Sequence, residues 1–349
     1  MSLKIFENWR EIVGETGDFH KTGFVRIVAP GEAERLNANV QMQRQLGVNA
    51  QLLTRSELQE LDPEWVVDDV ELAAYEPDSG YGDGAGVAND FLAHAREVDV
   101  EYLPRTRVTE ILHGGGHVRG VKNDRGETIF APVVIAAIGP WSRALPCSAG
   151  CDLPIETEFH SVAILKNAPG MRGSGSACID SGTATYFRPD AEDKFLVGDF
   201  YGQRGVDPDE FPQRASDESL ERLIERAARR VPGMVNAEIV CGVTGVYDMT
   251  PDARPMMGRA SGLAGLYICA GFSGMGFKIS PAVGLAMSEL ILDGRGMTVD
   301  VSAFSPDRFA ADKPIKAQFE YQDDSAIQER DGGRWSPKKH NASRGEGAL

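Results

Sequence analysis

Hydrophobic and polar positions follow two different periods along this chain, and the dominant period changes near residue 150. Before that point, most apolar residues recur every three or four positions, which is typical of amphipathic helices. Helices are predicted at residues 2–15, in two pieces at 31–60, and at 87–98. After it, short apolar stretches are separated by Gly, Pro and Asp turns, which indicates an antiparallel sheet. The predicted strands are residues 161–166, 183–188, 194–200 and 237–247.

Local signals refine this pattern. Thr54 or Ser56 is suited to cap the helix that contains ELQELD. The sequence HGGGHVRG at 113–120 predicts a hairpin turn. The continuous apolar run APVVIAAIGPW at 131–141 predicts a buried strand, because strands buried on both faces do not alternate. A helix for which Asp217 is the predicted N-cap has its apolar residues on one face.

A glycine-rich loop, GFSGMGFK at residues 271–278, follows the apolar stretch LYICA and precedes an apolar segment at 280–294. Ser280 is a predicted N-cap, Pro281 a predicted first helical residue and Gly294 a predicted stop. A loop in this position brings backbone N–H groups to the positive end of a helix, which favours an anionic or electron-rich ligand. A tight strand–helix turn would explain the glycines equally well.

Composition narrows the possible functions. The chain has 349 residues, a formal net charge of −16 and 42% apolar residues. The acidic balance argues against nucleic acid and anionic membranes as partners, since both are bound chiefly through Lys and Arg. No apolar run is long enough for a membrane span. The five cysteines show no zinc-site spacing, so we predict no metal site and a cytoplasmic protein with free thiols.

Ordered motifs across most of the chain resemble one enzyme family. They are Y-D-x-T-P-D-x-x-P-x-x-G at 247–258, L-Y-x-x-A-G-F-S-G-x-G-F-K at 266–278, S-P-A-x-G at 280–284, Y-x-P-D-S-G-Y-G-D at 75–83, R-V-T-E-I at 107–111 and A-A-I-G-P-W-S at 136–142. In their order along the chain these motifs resemble the flavin-dependent D-amino-acid oxidase superfamily. Within it they are most similar to the sarcosine oxidase and glycine oxidase branch, over roughly residues 3–310.

The resemblance implies a mixed α/β fold. A Rossmann-like FAD-binding domain would be interleaved with an antiparallel-sheet substrate domain. The implied FAD-binding segments are 78–149 and 251–310, and the implied substrate-binding segments are 1–77 and 150–250. Residues 311–349 are polar and are predicted to form a disordered tail.

The resemblance also implies FAD as the cofactor and assigns residues to it. Val108 would bind the adenine half, and Gly139 and Trp141 would lie beside the cofactor where a crossover strand meets it. The loop would run along the flavin edge through Gly271, Phe272, Ser273, Gly274, Met275, Gly276, Phe277 and Lys278. Binding would be non-covalent, because Gly245-Val246-Tyr247 has no cysteine where several relatives carry one.

Three residues are candidates for the substrate. Lys278 would pair with a substrate carboxylate, and Tyr247 would line the cavity. His160 could face the same cavity, although a structural or exposed histidine is the alternative. The implied reaction oxidises the C–N bond of a small amine or amino acid by hydride transfer to flavin N5. Sarcosine, dimethylglycine, glycine, proline and D-amino acids are candidates, and oxidase and dehydrogenase both stay open.

One departure from the family pattern concerns the pyrophosphate. The family begins with a strand, G-x-G-x-x-G and a helix, and the only near match here is residues 80–85, which we interpret as a turn. The sequence therefore indicates an N-terminally truncated dinucleotide unit. The alternative to a complete enzyme is a non-catalytic remnant, or a subunit that needs a second chain to supply this segment.

Overall fold

The computed structural model describes residues 1–190 and 193–321. Its helices are α1 (Ser2–Glu7), α2 (Trp9–Ile12), α3 (Ala33–Gln45), α4 (Arg55–Leu61), α5 (Gly84–Glu97), α6 (Ala144–Ser148), α7 (Asp217–Ala228) and α8 (Gly276–Leu292). Its strands up to residue 136 are β1 (Phe19–Lys21), β2 (Phe24–Ile27), β3 (Gln51–Thr54), β4 (Leu72–Glu76), β5 (Gly80–Gly82), β6 (Val108–Gly114), β7 (His117–Asn123), β8 (Thr128–Phe130) and β9 (Val134–Ala136). The later strands are β10 (Glu156–Lys166), β11 (Ala177–Asp180), β12 (Thr185–Pro189), β13 (Lys194–Asp199), β14 (Gln203–Arg204), β15 (Glu238–Met249), β16 (Met256–Arg259) and β17 (Leu266–Ala270).

A nine-stranded sheet forms the larger layer. Its order is β14-β10-β13-β12-β11-β2-β4-β3, with β15 also paired to β10. All its ladders are antiparallel except the β11–β2 pair, so the predicted antiparallel sheet is confirmed. The N-terminal strands β2, β3 and β4 extend it, and β2 lies in the segment 23–30 that the sequence predicts to be a strand.

Side chains of this sheet alternate between two environments. Helix α7 covers one face, where Ala163 and Leu165 of β10 join a buried cluster with Leu223. The cap of α7 is Ser216 and not the predicted Asp217, because the Ser216 hydroxyl accepts a hydrogen bond from Ser219 N at 3.2 Å. On β10, Glu158 and His160 have the opposite parity to Ala163 and therefore point to the other face.

The smaller sheet has the order β16-β17-β9, with β17 parallel to β9. Helix α8 packs on Met257 and Tyr267, which belong to β16 and β17. The prediction of a buried strand at 131–141 is wrong: β9 has three residues, and Ile135 is 49% exposed. The reason is that no described strand pairs with the outer edge of β9, and Ile135 lies outside the cluster under α8.

The glycine-rich segment at 80–85 is a strand–helix junction and not the predicted turn. Strand β5 pairs antiparallel with β1, and Asp83 caps α5 by accepting hydrogen bonds from Ala85 N and Gly86 N. Helix α5 therefore begins three residues earlier than predicted. A two-stranded antiparallel setting differs from the parallel βαβ unit of a dinucleotide fingerprint.

Other local predictions can be compared directly. Thr54 caps α4 in a reciprocal capping box with Glu57, as predicted, but β3 separates α4 from α3. The hairpin turn falls between β6 and β7. Helix α8 begins at Gly276, so Ser280 and Pro281 lie inside it, while Gly294 follows its end with a φ of 78°.

The proposed tail falls mostly on residues 322–349, which lie outside the described residues. Before it, Ile315 N donates to Asp252 and the Phe319 carbonyl accepts from Asn39. None of the helices described here has the length and apolar character needed to cross a membrane.

Asp90 attaches the N-terminal helices to α5. Its carboxylate accepts hydrogen bonds from Trp9 Nε1 at 2.7 Å and from Gly17 N at 2.7 Å. The Thr16 hydroxyl also donates to it. These hydrogen bonds, that of Thr16 above all, lower the pKa of Asp90 to about 2.

A second anchor is the Arg230 guanidinium, whose side chain is 1% exposed. Its Nε lies 2.8 Å from Asp180 Oδ2, and its Nη1 lies 2.8 Å from Asp69 Oδ1. Asp180 is fully buried, whereas the Asp69 side chain is 54% exposed. Arg230 thus compensates the one carboxylate of the pair that water cannot reach.

We predict that Arg230→Met lowers the free energy of unfolding by roughly 3–5 kcal/mol, because it leaves Asp180 buried without its cation. Arg10→Met removes an exposed pair with Asp18 and should cost at most about 1 kcal/mol. Urea denaturation of both variants measures the difference. Equal losses of unfolding free energy in the two variants would contradict the role of Arg230 as the buried partner of Asp180.

The low pKa of Asp90 predicts an acid dependence of stability. Its folded pKa lies below the ordinary value of roughly 3.9, so its contribution is present above that value and is lost as the pH falls towards 2. The stability difference between the wild type and Asp90→Asn should therefore shrink as the pH is lowered through this window. Urea midpoints across the acid range test this, with Asp18→Asn as the control. A constant difference would refute it.

Candidate functional site

The glycine-rich loop turns sharply before α8. Gly271 and Gly274 have φ angles of 73° and 77°, and Ser273 between them has 51°. A Cβ at Gly271 would lie 2.3 Å from Thr250 Cγ2, so both sterics and backbone conformation require glycine there. Since α8 begins at Gly276, the residues 276–278 form its first turn, whose N–H groups have no acceptor within the helix.

Asp248, at the end of β15, holds this loop in place. Its Oδ2 accepts from Gly271 N at 2.6 Å, and its carbonyl accepts from Ser273 N at 3.1 Å. Burial raises the pKa of Asp248, and the loop amides oppose that effect. Thr250 N adds a hydrogen bond to Ser273 Oγ at 3.2 Å. The loop is therefore fixed to the strand that carries Tyr247.

The T-P-D-x-x-P motif supports the same region from behind. Asp252 accepts from Arg308 through both oxygens, at 2.8 and 2.9 Å, and both side chains are almost fully buried. The Thr250 hydroxyl donates to the Arg254 carbonyl at 2.8 Å, which closes the turn. Sequence reasoning missed Arg308, because nothing local links it to a motif more than fifty residues earlier.

Tyr247 and His160 lie together beside the loop. A Cβ at Gly274 would come within 2.8 Å of the Tyr247 ring, so the ring packs directly on the loop backbone. The His160 ring stacks on Tyr247 with centroids 4.1 Å apart and planes 29° apart. Tyr186 of β12 hydrogen-bonds Tyr247, and burial and this neighbour raise the pKa of Tyr186. The structure thus brings the predicted residues Tyr247 and His160 into contact. It also places Tyr186, which the sequence did not indicate, beside Tyr247.

Lys278 lies in the first turn of α8, with Nζ 3.3 Å from Met275 Sδ. No carboxylate in the described part of the chain lies within ion-pair distance of it, although Glu76 is near enough to act through its charge. The side chain is accessible to solvent, yet the protein atoms around the ammonium group lower its pKa. A partly desolvated cation of this kind favours an anionic ligand.

The residues predicted for the far part of the cofactor form a separate group around Asp209. Trp141 Nε1 donates to Asp209 Oδ1 at 3.0 Å, and Arg107, next to Val108, pairs with Asp209 Oδ2 at 2.7 Å. Gly139 has a φ of 51° at the start of the 3-10 turn that carries Trp141. Asp209 therefore links Trp141 to the start of β6, a contact that no local sequence pattern predicts.

His160 has buried polar partners that sequence reasoning also missed. Its Nε2 lies 2.9 Å from Glu158 Oε1, and Arg204 Nε donates to Glu158 Oε2 at 3.0 Å. Glu158 and His160 are 5% and 4% exposed. The available signal was their spacing, since residues two apart on a strand share a face.

The chain fits one end of an FAD molecule. The first-turn amides of α8, the loop backbone and Lys278 suit the electron-rich edge of a flavin, and Ser280 Oγ nearby is buried without a hydrogen-bond partner. At the pyrophosphate end, the described residues contain no glycine-rich turn between a parallel strand and a helix. No described strand pairs with the outer edge of β9, which belongs to the parallel pair where such a unit would lie.

Known proteins share this architecture. The family model for DAO, FAD dependent oxidoreductase, matches residues 1–290. Sarcosine dehydrogenase of Homo sapiens is 26% identical over 309 residues, which is 82% of this chain but 32% of that protein. Glycine oxidase of Geobacillus kaustophilus is 26% identical over 302 residues, 86% of this chain and 77% of that one.

The crystal structure of L-proline dehydrogenase from P. horikoshii superimposes with a TM-score of 0.81 at 27% identity, covering 90% of this chain and 83% of that one. This chain thus spans about a third of the human relative and more than three quarters of the other two. The resemblance read from the motifs is confirmed, and the chain belongs to the DAO family of FAD-dependent oxidoreductases.

Proposed function

We propose that this protein takes part in the FAD-dependent oxidation of a small amine or amino acid at its C–N bond. The observation that carries the proposal is the position of Lys278, at the end of the loop on which Tyr247 packs, where no carboxylate of the described residues forms an ion pair with it. Such a group suits the carboxylate of an amino acid. Its relatives include proteins named sarcosine dehydrogenase, glycine oxidase and L-proline dehydrogenase, which supports a substrate of this class.

Bound FAD would supply the acceptor for a hydride from the carbon next to the amine nitrogen. The chain itself would bind and orient the substrate. Lys278 would hold the carboxylate, and Tyr247 would form one wall of the cavity. Tyr186, which hydrogen-bonds Tyr247, would help to hold the Tyr247 side chain in position. The same site serves an oxidase or a dehydrogenase.

The remaining site residues are proposals as well. The loop residues 271–278 would hold the flavin edge, and Val108, Gly139 and Trp141 would lie along the rest of the cofactor. Binding would be non-covalent, since no cysteine adjoins Tyr247 and Cys241 lies exposed on β15. All five cysteines are free, which fits the cytoplasm.

A second candidate role is favoured by the open edge of β9. In this role the chain is a subunit whose pyrophosphate site is completed by a strand–helix unit that pairs along β9 and covers Ile135. The exposed apolar side chains of Ile135 and of Leu285 and Leu292 on α8 support it. One relative, from an Arthrobacter species, is named as a sarcosine oxidase subunit beta.

The two roles differ in a visible spectrum. If the 349-residue chain holds flavin unaided, the purified protein should be yellow, or should become so on addition of FAD and keep the colour through gel filtration. A colourless protein would eliminate unaided catalysis and leave the subunit role. Gly271→Val serves as the matched variant, because a side chain there collides with Thr250 and should weaken any flavin retained.

Lys278→Met should raise KM for a carboxylate-bearing substrate at least about thirtyfold, because it removes the charged partner of a partly buried ion pair. The pKa of Lys278 is lowered, so binding of the carboxylate should weaken as the pH rises through that pKa. The Lys278→Met variant should lack this pH dependence. Steady-state kinetics on the flavin-loaded protein measure both effects. Lys313→Met, at an exposed lysine, is the control, and an unchanged KM for Lys278→Met would exclude the carboxylate role.

A further inference from the structure

Arg26 of β2 lies on the same face of the large sheet as the candidate site. Its neighbours Val25 and Ile27 belong to the buried cluster under α7, so the Arg26 side chain points to the opposite face. The ladders pair Arg26 with Ile179, and Ile179 with Tyr186. Two strand spacings, about 10 Å between Cα atoms, thus separate Arg26 from Tyr186. The long Arg26 side chain can therefore reach a ligand that extends from Tyr186 along this face.

Two aromatic rings hold the Arg26 guanidinium in place. Its Cζ lies 5.6 Å from the centroid of the Phe200 ring and 5.4 Å from the centroid of the Tyr321 ring. Both distances are in the range of cation–π contacts. Phe200 follows Asp199, whose carbonyl oxygen lies 3.1 Å from His160 Nδ1. Phe200 therefore connects Arg26 to the part of the sheet that carries His160.

The Arg26 guanidinium lacks the acceptors that its donors require. Within the described residues, Nη1 is buried without a hydrogen-bond partner, and no carboxylate forms an ion pair with Arg26. Two carboxylates at or next to strands of this sheet have other partners: Glu76 accepts from Ser79 Oγ at 2.8 Å, and Asp190 pairs with Arg188 at 2.8 Å. A buried donor without an acceptor costs free energy, so this position favours an anion that brings acceptor oxygens.

Residues 315–321 cover Arg26 from the other side. Half-buried and exposed residues alternate along them, which is the pattern of an extended segment. At its start the segment donates a backbone N–H to Asp252 at 2.8 Å, and near its end a backbone carbonyl accepts from Asn39 at 3.0 Å. It therefore runs from the turn behind the glycine-rich loop to α3 and ends with Tyr321 on Arg26. This cover keeps water from part of the guanidinium, which strengthens its attraction for an anion.

We propose that Arg26 is a second anion-binding residue of the substrate cavity, and that the substrate is an amino acid with a second carboxylate. Lys278 would hold the carboxylate beside the amine, and Arg26 would hold the distal one. The planar guanidinium matches the two oxygens of a carboxylate. The substrate class rests on the proposed function, whereas the affinity of Arg26 for an anion does not. Arg26 would decide which amino acids are accepted, since it contacts the far end of the substrate.

Binding of paired carboxylic acids to the purified 349-residue chain tests the proposal. Succinate, glutarate and adipate are compared with butyrate, valerate and hexanoate, which have the same chain lengths but end in a methyl group. At least one diacid should bind at least about tenfold more tightly than its partner, as expected for a charge-assisted hydrogen bond. Calorimetric titration gives the affinities. The ¹⁵Nε NMR signal of Arg26, assigned by its loss in Arg26→Met, should shift with that diacid and not with its partner. Equal affinities within every pair would overturn the proposal.

Arginine variants separate Arg26 from the general charge of this face. Arg26→Met should abolish the preference for the diacid and leave the affinity for the monocarboxylate unchanged, whereas a purely structural arginine would alter stability alone. Arg26→Lys keeps the charge and should retain part of the preference. Arg188→Met is the matched control, because Arg188 already pairs with Asp190 and stacks on Tyr81 at 4.3 Å. Equal losses of preference in Arg26→Met and Arg188→Met would contradict a specific site at Arg26.

Carboxylates of the same chain are the alternative occupant. Asp323 and Asp324 follow Tyr321 closely in the sequence. If they occupy the position beside Arg26, the double variant Asp323→Asn, Asp324→Asn should bind the diacids at least about tenfold more tightly than the wild type. That result would overturn the assignment to a substrate carboxylate. An unchanged affinity for the diacids would support it.

The outcomes also separate this inference from the proposed function. If monocarboxylates bind through Lys278 and no diacid is preferred, the Arg26 site is wrong and the proposed function stands. If the preference depends on Arg26 but Lys278→Met changes neither affinity, the Arg26 site stands and the carboxylate role of Lys278 is wrong. Absence of binding by all the acids would overturn both.

Discussion

The hydrogen bond between the Asp248 carboxylate and Gly271 N is the contact on which the site depends. It joins the long strand β15 of the large sheet to the loop that opens α8. Because Tyr247 precedes Asp248 directly, fixing the loop to Asp248 also presses the Tyr247 ring onto Gly274. A single buried carboxylate thus sets the distance between the wall of the cavity and the first turn of the helix. The Asp252–Arg308 pair supports the same turn from the other side.

Local sequence patterns predicted much of this arrangement, because the loop, Tyr247 and the T-P-D turn all lie within about thirty residues of one another. The partners that hold them did not follow from the sequence. Arg308, Asp209 and Glu158 are ordinary charged residues whose role arises only when distant segments meet. The sequence left both a structural role and a substrate role open for His160. Glu158, two positions earlier, lies on the same face of β10 as His160.

The fold was predictable where a helix or strand has one buried face. The periodicity of α7 and the short apolar stretches of β10 and β12 between turn residues indicated their types correctly. The exception is instructive: the apolar run at 131–141 has the composition of a central strand, yet β9 is paired on one side only. An apolar composition suits a strand that has neighbours on both sides. Among the described residues, β9 has a neighbouring strand on one side only, which is β17. The start of α8 was misplaced for a different reason, since Ser280 and Pro281 resemble a cap but lie beyond a first turn of Gly, Phe and Lys.

The open edge of β9 has a consequence for the behaviour of the chain in solution. Unpaired N–H and C=O groups beside the exposed Ile135 can pair with the same edge of another molecule. The net charge of −16 opposes such an encounter at long range. Salt reduces the range of that repulsion to about 10 Å at 0.1 M and to about 3 Å at 1 M. It does not weaken the short-range apolar contact. Concentrated salt therefore weakens the electrostatic barrier to edge-to-edge association of this chain.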